Sequence, residues 1–131
     1  MKLRLLIATA ALLSFASCSK DGVEGNNCQT CSEMRIVVTL KHHDDVINTG
    51  KVYLKRDATN MPDSYDASAE VVMTDEGPMA LFLNQRPGKF YIYADGYDTS
   101  INKDVAGGVP VNITSDFMFK YYRMIVPVTE K

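Results

Sequence analysis

The sequence predicts an all-β fold, a Greek-key β-sandwich of seven or eight short strands, from three observations. Between residues 34 and 128, short segments alternate apolar and polar residues with a period of two. Clusters of Gly, Pro, Asn and Asp separate these segments at near-regular intervals. No segment shows a convincing 3.6-residue period, which a helix would require. Many short strands divided by turn residues are typical of a sandwich of two sheets.

The clearest hairpin pairs the predicted strands Met79–Leu83 and Lys89–Ala94, which a turn with Pro87 and Gly88 connects. Alternation predicts that both strands are half-buried. The residues expected to share a face are Met79, Leu81 and Leu83 in the first strand, and Phe90, Ile92 and Ala94 in the second.

The other strands follow from the same pattern. They are predicted at Met34–Leu40, Lys51–Lys55, Ala69–Thr74 and Val109–Ile113, with one long closing strand in Phe117–Val128. Two adjacent valines, Val71 and Val72, do not show which face of the third strand points inward. Arg123 suggests a bulge in the closing strand, and Pro127 suggests its end. The segments Lys41–Gly50, Arg56–Ser68 and Gly96–Gly108 are predicted loops, the last with at most a short strand near Ile101–Val105.

Length and composition indicate one globular domain. The chain has 131 residues, of which 46% are hydrophobic and 23% charged, an ordinary globular balance rather than that of a disordered chain. The formal net charge is −2, so the composition gives no reason to expect a nucleic-acid partner.

The first 32 residues are expected to direct export and membrane anchoring rather than to belong to the folded domain. Lys2 and Arg4 precede an apolar run from Leu5 to Phe15 that is too short to span a bilayer, as in a secretory signal peptide. Small residues before Cys18 resemble the lipobox of bacterial lipoproteins. The resemblance implies a signal peptide at 1–17, lipid on Cys18, a flexible tether at 18–32 and a single β-sandwich domain at 33–131.

The polar, acidic residues 19–24 refine the expected location. They resemble the export signal that sends lipoproteins of anaerobic gut-type Gram-negative bacteria to the outer leaflet. The resemblance implies a protein anchored in the outer membrane by its lipid and exposed at the cell surface. A domain that faces the periplasm is the alternative.

Two further cysteines, Cys28 and Cys31, lie in the tether with two residues between them. With Cys18 lipidated, an even number remains in an oxidising compartment, which favours a local disulfide. Half of a metal site shared with another chain, a redox-active pair, and free or intermolecular thiols stay open.

A motif around the central hairpin carries a family resemblance. Thr74-Asp75-Glu76-Gly77 precedes one strand, and Arg86-Pro87-Gly88-Lys89-Phe90-Tyr91-Ile92 enters the next. This resembles the signature of transthyretin-like domains, which are also called prealbumin-like or carboxypeptidase-regulatory-like. Gly107-Gly108-Val109-Pro110-Val111 resembles small lipoproteins of the same class. The resemblance implies a transthyretin-like or immunoglobulin-like sandwich. It specifies little about function, since such folds serve adhesion, pilus and spacer roles.

Two polar clusters contain residue types that can bind metal ions. His42-His43-Asp44-Asp45 offers ligands that suit zinc or copper, but adjacent residues of a strand point to opposite faces. Asp57, Asn60, Asp63 and Asp66 share one loop but lack the spacing of a calcium-binding loop. A polar hairpin and a solvated loop are the preferred interpretations, and no metal or other cofactor is expected.

Three tyrosines form the candidate partner-binding face. If Val52 and Leu54 point inward, Tyr53 points outward, and alternation likewise turns Tyr91 and Tyr93 outward. Tyrosine combines a rigid apolar ring with a polar tip and is favoured at binding surfaces. The simpler interpretation is that these residues are strand formers on a solvated face.

No catalytic arrangement is evident, so we expect a non-enzymatic binding or interaction module. The two histidines are adjacent in sequence, and no serine has the surroundings of an activated nucleophile. The expected partner is a cell-envelope protein or a glycan, and the membrane is contacted through the N-terminal lipid. The alternative is a structural or accessory subunit of a fimbria-like surface assembly.

Overall fold

A computed structural model describes residues 33–131, which form two packed five-stranded sheets with 68% strand and 3% helix. The strands are β1 (Met34–His42), β2 (Asp45–Ile47), β3 (Gly50–Arg56), β4 (Ala67–Glu70), β5 (Val72–Thr74), β6 (Gly77–Gln85), β7 (Gly88–Asp98), β8 (Lys103–Ile113), β9 (Tyr121–Pro127) and β10 (Thr129–Glu130). A single 3-10 turn, Ser115–Phe117, precedes β9. The all-β sandwich predicted from the sequence is confirmed.

The two sheets differ in their strand order. In the first sheet the order is β2-β1-β6-β5, and β9 pairs with β1 in parallel. In the second sheet the order is β10-β8-β7-β3-β4, with antiparallel pairing throughout. The chain therefore passes repeatedly from one sheet to the other, and the core lies between them.

The core is built from alternate residues of both sheets, as period-two patterning requires. Phe90, at 2% exposure, lies on the inward face of β7 together with Ile92 and Ala94, as predicted. The other buried members are Met34, Ile36, Val38, Leu40, Ile47, Val52, Leu54, Ala80, Phe82, Val105, Ile113, Val126 and Val128.

Strand β6 turns its larger aliphatic residues outward. Met79, Leu81 and Leu83 do share a face, but Leu81 and Leu83 are 41% and 49% exposed. The core instead receives Ala80 and Phe82, which stand opposite Val38 and Ile36 of β1. Residues 79–83 are all apolar, so the register with β1, rather than the pattern within β6, decides which face is buried.

The predicted loop 96–108 is mostly strand. Strands β7 and β8 form a ladder of eleven residue pairs, and only residues 99–102 turn between them. The glycines that suggested a loop lie where backbones approach closely. A Cβ on Gly96 would come within 2.9 Å of the Thr49 carbonyl oxygen, and one on Gly107 would strike the Pro127 carbonyl oxygen. Glycine is tolerated within a strand at such a close approach.

The predicted third strand is divided between the sheets. Strand β4 pairs with β3 in the second sheet and β5 pairs with β6 in the first. Val71 lies between them, and its amide donates to the Gly50 carbonyl at 2.8 Å. Because the chain changes sheets here, no single inward face runs through Val71 and Val72.

The closing segment also departs from the prediction. A turn precedes β9, where Phe119 has a φ of 61°, so the strand begins at Tyr121 rather than Phe117. The pairing of β9 with β1 is continuous from Tyr121 to Pro127, so the bulge predicted near Arg123 is wrong. Arg123 fits the regular alternation because it lies on the outer face, where it pairs with Glu76 at 2.7 Å. The predicted end at Pro127 is correct.

Candidate binding face

The three tyrosines predicted to face outward lie together on the outer face of the second sheet. Tyr53 of β3 and Tyr93 of β7 are direct cross-strand partners, and their ring centroids are 6.1 Å apart. Tyr91, two residues before Tyr93 in β7, pairs with Lys55. All three are half-buried. Pairing of β3 with β7 is what brings two separate segments of sequence into one aromatic group.

A fourth ring, Tyr65, comes from the loop between β3 and β4. Its centroid lies 5.4 Å from that of Tyr53 and 6.0 Å from that of Tyr93, and it stacks on Tyr93 with 24° between the ring planes. Sequence reasoning missed Tyr65, since alternation says nothing about a loop. The available signal was a lone aromatic residue in a polar segment. We call Tyr53, Tyr65, Tyr91 and Tyr93 the tyrosine platform.

Ring contacts hold Tyr65 in place. Its hydroxyl oxygen is buried and has no hydrogen-bond partner among the residues that the structure describes. Burial, followed by the phenols of Tyr91, Tyr93 and Tyr53, raises the pKa of Tyr65 above its ordinary value of 10.0. A buried hydroxyl without a partner is unusual. Packing of the rings, which adds about 0.5–1.5 kcal/mol per aromatic pair, therefore accounts for its position.

Gly108 gives the Tyr91 ring its position. A Cβ on Gly108 would lie 2.6 Å from the Tyr91 hydroxyl oxygen and 2.8–2.9 Å from two ring carbons. The ring therefore occupies the space that a side chain on β8 would take. The platform in this way reaches from the loop after β3, across β3 and β7, onto β8.

Three lysines around the platform are paired with acids, whereas Lys89, two residues before Tyr91 on the same face of β7, has no ion pair within residues 33–131. Lys51 lies 3.7 Å from Glu70, Lys55 lies 3.3 Å from Asp66, and Lys131 lies 2.8 Å from Asp95. The Lys51 amino group also lies 5.7 Å from the Tyr53 ring centroid. The Arg56 amide, which donates to Asp66 at 2.8 Å, and Lys55 lower the pKa of Asp66. The rim thus contains charges of both signs close to one another.

Of the two adjacent histidines, His42 makes a buried structural hydrogen bond. His42 is buried, and its Nδ1 donates to Oδ2 of buried Asp98 at 2.8 Å. The Ser100 hydroxyl donates to the other Asp98 oxygen at 2.6 Å, and the Ser100 amide donates to it at 2.9 Å. The hydroxyl is thus directed at the carboxylate rather than at the imidazole. His43 is exposed in the β1–β2 turn with a φ of 54°.

The other candidate sites are either dispersed or outside the described region. Among residues 33–131, no group of three or more His, Cys, Asp or Glu residues is placed to hold a metal ion. In the acidic loop, Asp66 is engaged by Lys55 and the Arg56 amide. Cys18, Cys28 and Cys31, and with them the predicted signal peptide and tether, lie outside the described residues.

Comparisons with known proteins leave the fold and the site to be interpreted from the structure. No helix within residues 33–131 is long and apolar enough to cross a membrane. Comparison of the chain with protein-family models, with curated proteins and with solved structures found no match.

Proposed function

We propose that this chain is a non-enzymatic, lipid-anchored cell-surface protein that binds a partner through its tyrosine platform. The supporting observation is that four of the seven tyrosines in the chain meet on one outer sheet face, although they come from three separate segments. Aromatic residues are enriched where proteins bind partners, because a ring buries large area with little loss of conformational entropy.

The charges around the platform favour a neutral glycan as the partner. Lys51, Lys55 and Lys131 each lie within 4 Å of an acidic side chain, so the rim offers no uncompensated cluster of positive charge. An acidic polymer would have to compete with these pairs. A sugar ring can instead place its apolar face on a tyrosine ring, while its hydroxyl groups contact the polar rim. A cell-envelope protein is the other class of partner, which the experiment distinguishes.

The proposed location and lipid anchor are supported by the sequence. The lipobox-like residues before Cys18 support lipid attachment, and several acyl chains give stable anchoring at about 0.8 kcal/mol per buried CH₂. The acidic residues that follow support the outer membrane with the domain exposed at the surface. We also propose that the domain has a transthyretin-like fold. Its support is the two-sheet architecture together with the motifs Thr74–Gly77 and Arg86–Ile92.

The experiment uses the mature chain with the substitution Cys18→Ala, which removes the lipid. The protein is run in a series of native gels, each of which contains one polysaccharide, either neutral or acidic. At least one neutral polysaccharide should retard the protein, and the acidic one should not. The combined change Tyr53→Thr, Tyr91→Thr and Tyr93→Thr should abolish retardation while the circular dichroism spectrum stays unchanged. In cells, the Cys18→Ala chain should leave the membrane fraction.

Tyr121→Thr, on the opposite sheet, is the matched control and should be retarded like the parent chain. Equal retardation of the parent and the triple variant would contradict a platform that binds glycans. If no polysaccharide retards the chain, but a chemical cross-link to one envelope protein requires the three tyrosines, the platform binds a protein instead.

A further inference from the structure

A groove of about 330 Å³ lies where β3 and β6 end and β7 begins. Three basic side chains line it, from Arg56, Arg86 and Lys89, together with the acidic Glu33 and Asp57. We call this cavity the end groove. Its basic and acidic side chains differ in their partners, and that difference decides what the groove can bind.

A bulge in β6 builds one wall of the end groove. Ala80 and Phe82 point inward, so strict alternation would bring Asn84 inward next. Instead the register with β1 shifts opposite this part of β6, and Asn84 has a φ of 53°. Gln85 is therefore the residue that turns inward, at 5% exposure. Bulges re-aim side chains in this way and are frequent next to active sites.

Gln85 holds the Arg56 guanidinium without neutralising its charge. Oε1 of Gln85 accepts hydrogen bonds from Nε of Arg56 at 3.2 Å and from Nη2 at 3.0 Å. Nε2 of Gln85 donates to the Leu83 carbonyl at 2.7 Å, which fixes the orientation of the amide. Arg56 has no ion pair with another residue in 33–131. The guanidinium is thus positioned by an uncharged partner, and its remaining N–H groups are held ready for an oxyanion.

Lys89 supplies a second uncompensated cation. It is exposed and has no ion pair within the part of the chain that the structure describes. Arg86 differs, because Oε1 of Glu33 lies 3.0 Å from its Nε. Asp57, whose amide donates to the Lys89 carbonyl at 2.8 Å, has no ion pair within residues 33–131 either. Three basic and two acidic side chains leave the end groove with a net charge of +1.

We propose that the end groove is a binding site for a phosphate monoester. Such a group carries about −1.5 to −2 charges at pH 7 and has three terminal oxygens. Two of these oxygens match the paired N–H groups that Arg56 still offers, and the third is left for the Lys89 ammonium group. A carboxylate has one charge and two oxygens, so it satisfies only one of the two cations. Because the groove is open to salt and its net charge is small, a millimolar dissociation constant is expected.

The end groove is separate from the tyrosine platform. Arg56 follows Val52 and Leu54 on the inward side of β3, at the end of the core, and only Lys89 stands on the platform's face. Glu33 directly follows the predicted tether, so on a lipid-anchored chain the groove lies at the end that is joined to the membrane. Two sources present a phosphate monoester there, a lipid headgroup and a soluble sugar phosphate, and the experiment separates them.

Amide NMR of the isotope-labelled mature Cys18→Ala chain, titrated with glycerol 3-phosphate, tests the site without the anchor. Saturable shifts should be largest around Arg56 and in residues 84–89, and acetate should bind far more weakly. Lys89→Gln should raise the dissociation constant about threefold or more, and Asp57→Asn should lower it by a similar factor, because each changes one charge. Asparagine is tolerated at the φ of 56° that Asp57 adopts. A gain in affinity also cannot come from misfolding.

Lys103→Gln is the matched control, since it removes the same charge from an exposed lysine at the opposite end of β7 and β8. It should bind glycerol 3-phosphate like the parent chain. The absence of saturable shifts up to about 50 mM would overturn the proposal. Equal affinity of the parent, Lys89→Gln and Asp57→Asn would do the same, as would acetate binding as tightly as the ester.

Flotation with lipid vesicles identifies the source of the phosphate. Binding to vesicles that contain phosphatidic acid, but not to those with the diester phosphatidylglycerol, assigns a lipid headgroup, and this binding should be lost in Lys89→Gln. Binding of glycerol 3-phosphate without flotation on either lipid assigns a soluble ester. Equal flotation on both lipids that persists in Lys89→Gln would contradict a specific site. Retardation by neutral polysaccharides depends on the three tyrosines instead, so either proposal can fail alone.

Discussion

At the scale of single residues, the hydrogen bonds of Asp98 fasten the β7–β8 turn to β1. The carboxylate accepts from His42 through one oxygen and from the Ser100 hydroxyl and amide through the other. Buried carboxylates persist when such partners replace water. These hydrogen bonds, first that of the Ser100 hydroxyl and then that of His42, hold the pKa of Asp98 below its ordinary value of 3.8.

A lowered pKa makes this site contribute to stability at neutral pH and lose that contribution in acid. The folded state binds the proton of Asp98 less readily than the unfolded state, in which the carboxyl keeps its ordinary pKa. The stabilising contribution is therefore complete well above the unfolded pKa and disappears as the pH falls through the lower folded pKa. Urea unfolding at a series of pH values should show a free energy of unfolding that decreases in this acid range.

Asp98→Asn should be less stable than the parent chain at pH 7 and should show a shallower acid decline. Asp63→Asn, in the exposed loop after β3, is the control and should keep the parent slope. An identical acid decline in the parent and in Asp98→Asn would mean that other carboxylates cause the acid sensitivity.

At the scale of strands, alternation predicted where most strands lie and which way β3 and β7 face. It failed in β6, where residues 79–83 are all apolar and pairing with β1 chooses the buried side. The glycines of residues 96–108 suggested a loop, but Gly107 and Gly108 lie within β8 and permit close contacts there. The outward tyrosines followed from alternation, whereas Tyr65 did not, because the course of a loop depends on contacts distant in sequence.

The orientation of β6 can be tested with neighbouring residues. Phe82→Ala should lower the free energy of unfolding by about 3–5 kcal/mol, as for a buried aromatic residue, since Phe82 is 4% exposed. Leu83→Ala should cost less than about 1 kcal/mol, since Leu83 is 49% exposed. Urea unfolding in dilute solution gives both values. A larger loss for Leu83→Ala would mean that the buried face of β6 has been assigned to the wrong side.

At the scale of the whole molecule, the end of the chain joins the two sheets. Strand β9 pairs with β1 in the first sheet, and β10 pairs with β8 in the second. Val128 lies between them, is 2% exposed, and donates its amide hydrogen to the Lys41 carbonyl at 2.8 Å. At this crossing the backbone of Pro127 and Val128 rests on Gly107. The close approach fixes the spacing of the sheets at this edge.

Gly107→Ala should therefore destabilise the protein more than Gly108→Ala. A methyl group on Gly107 meets the backbone of Pro127 and Val128, which cannot move without separating the sheets, whereas one on Gly108 meets the Tyr91 side chain, which can rotate. Overpacking typically costs about 1–3 kcal/mol, occasionally more. We expect the loss of unfolding free energy for Gly107→Ala to lie at or above the top of this range and that for Gly108→Ala near its bottom, both measured by urea unfolding.

In a Tyr91→Thr background the loss caused by Gly108→Ala should largely disappear, while that caused by Gly107→Ala should remain. If the two glycines ranked in the opposite order, the crossing would be flexible, and the sheets would be held together by core packing alone.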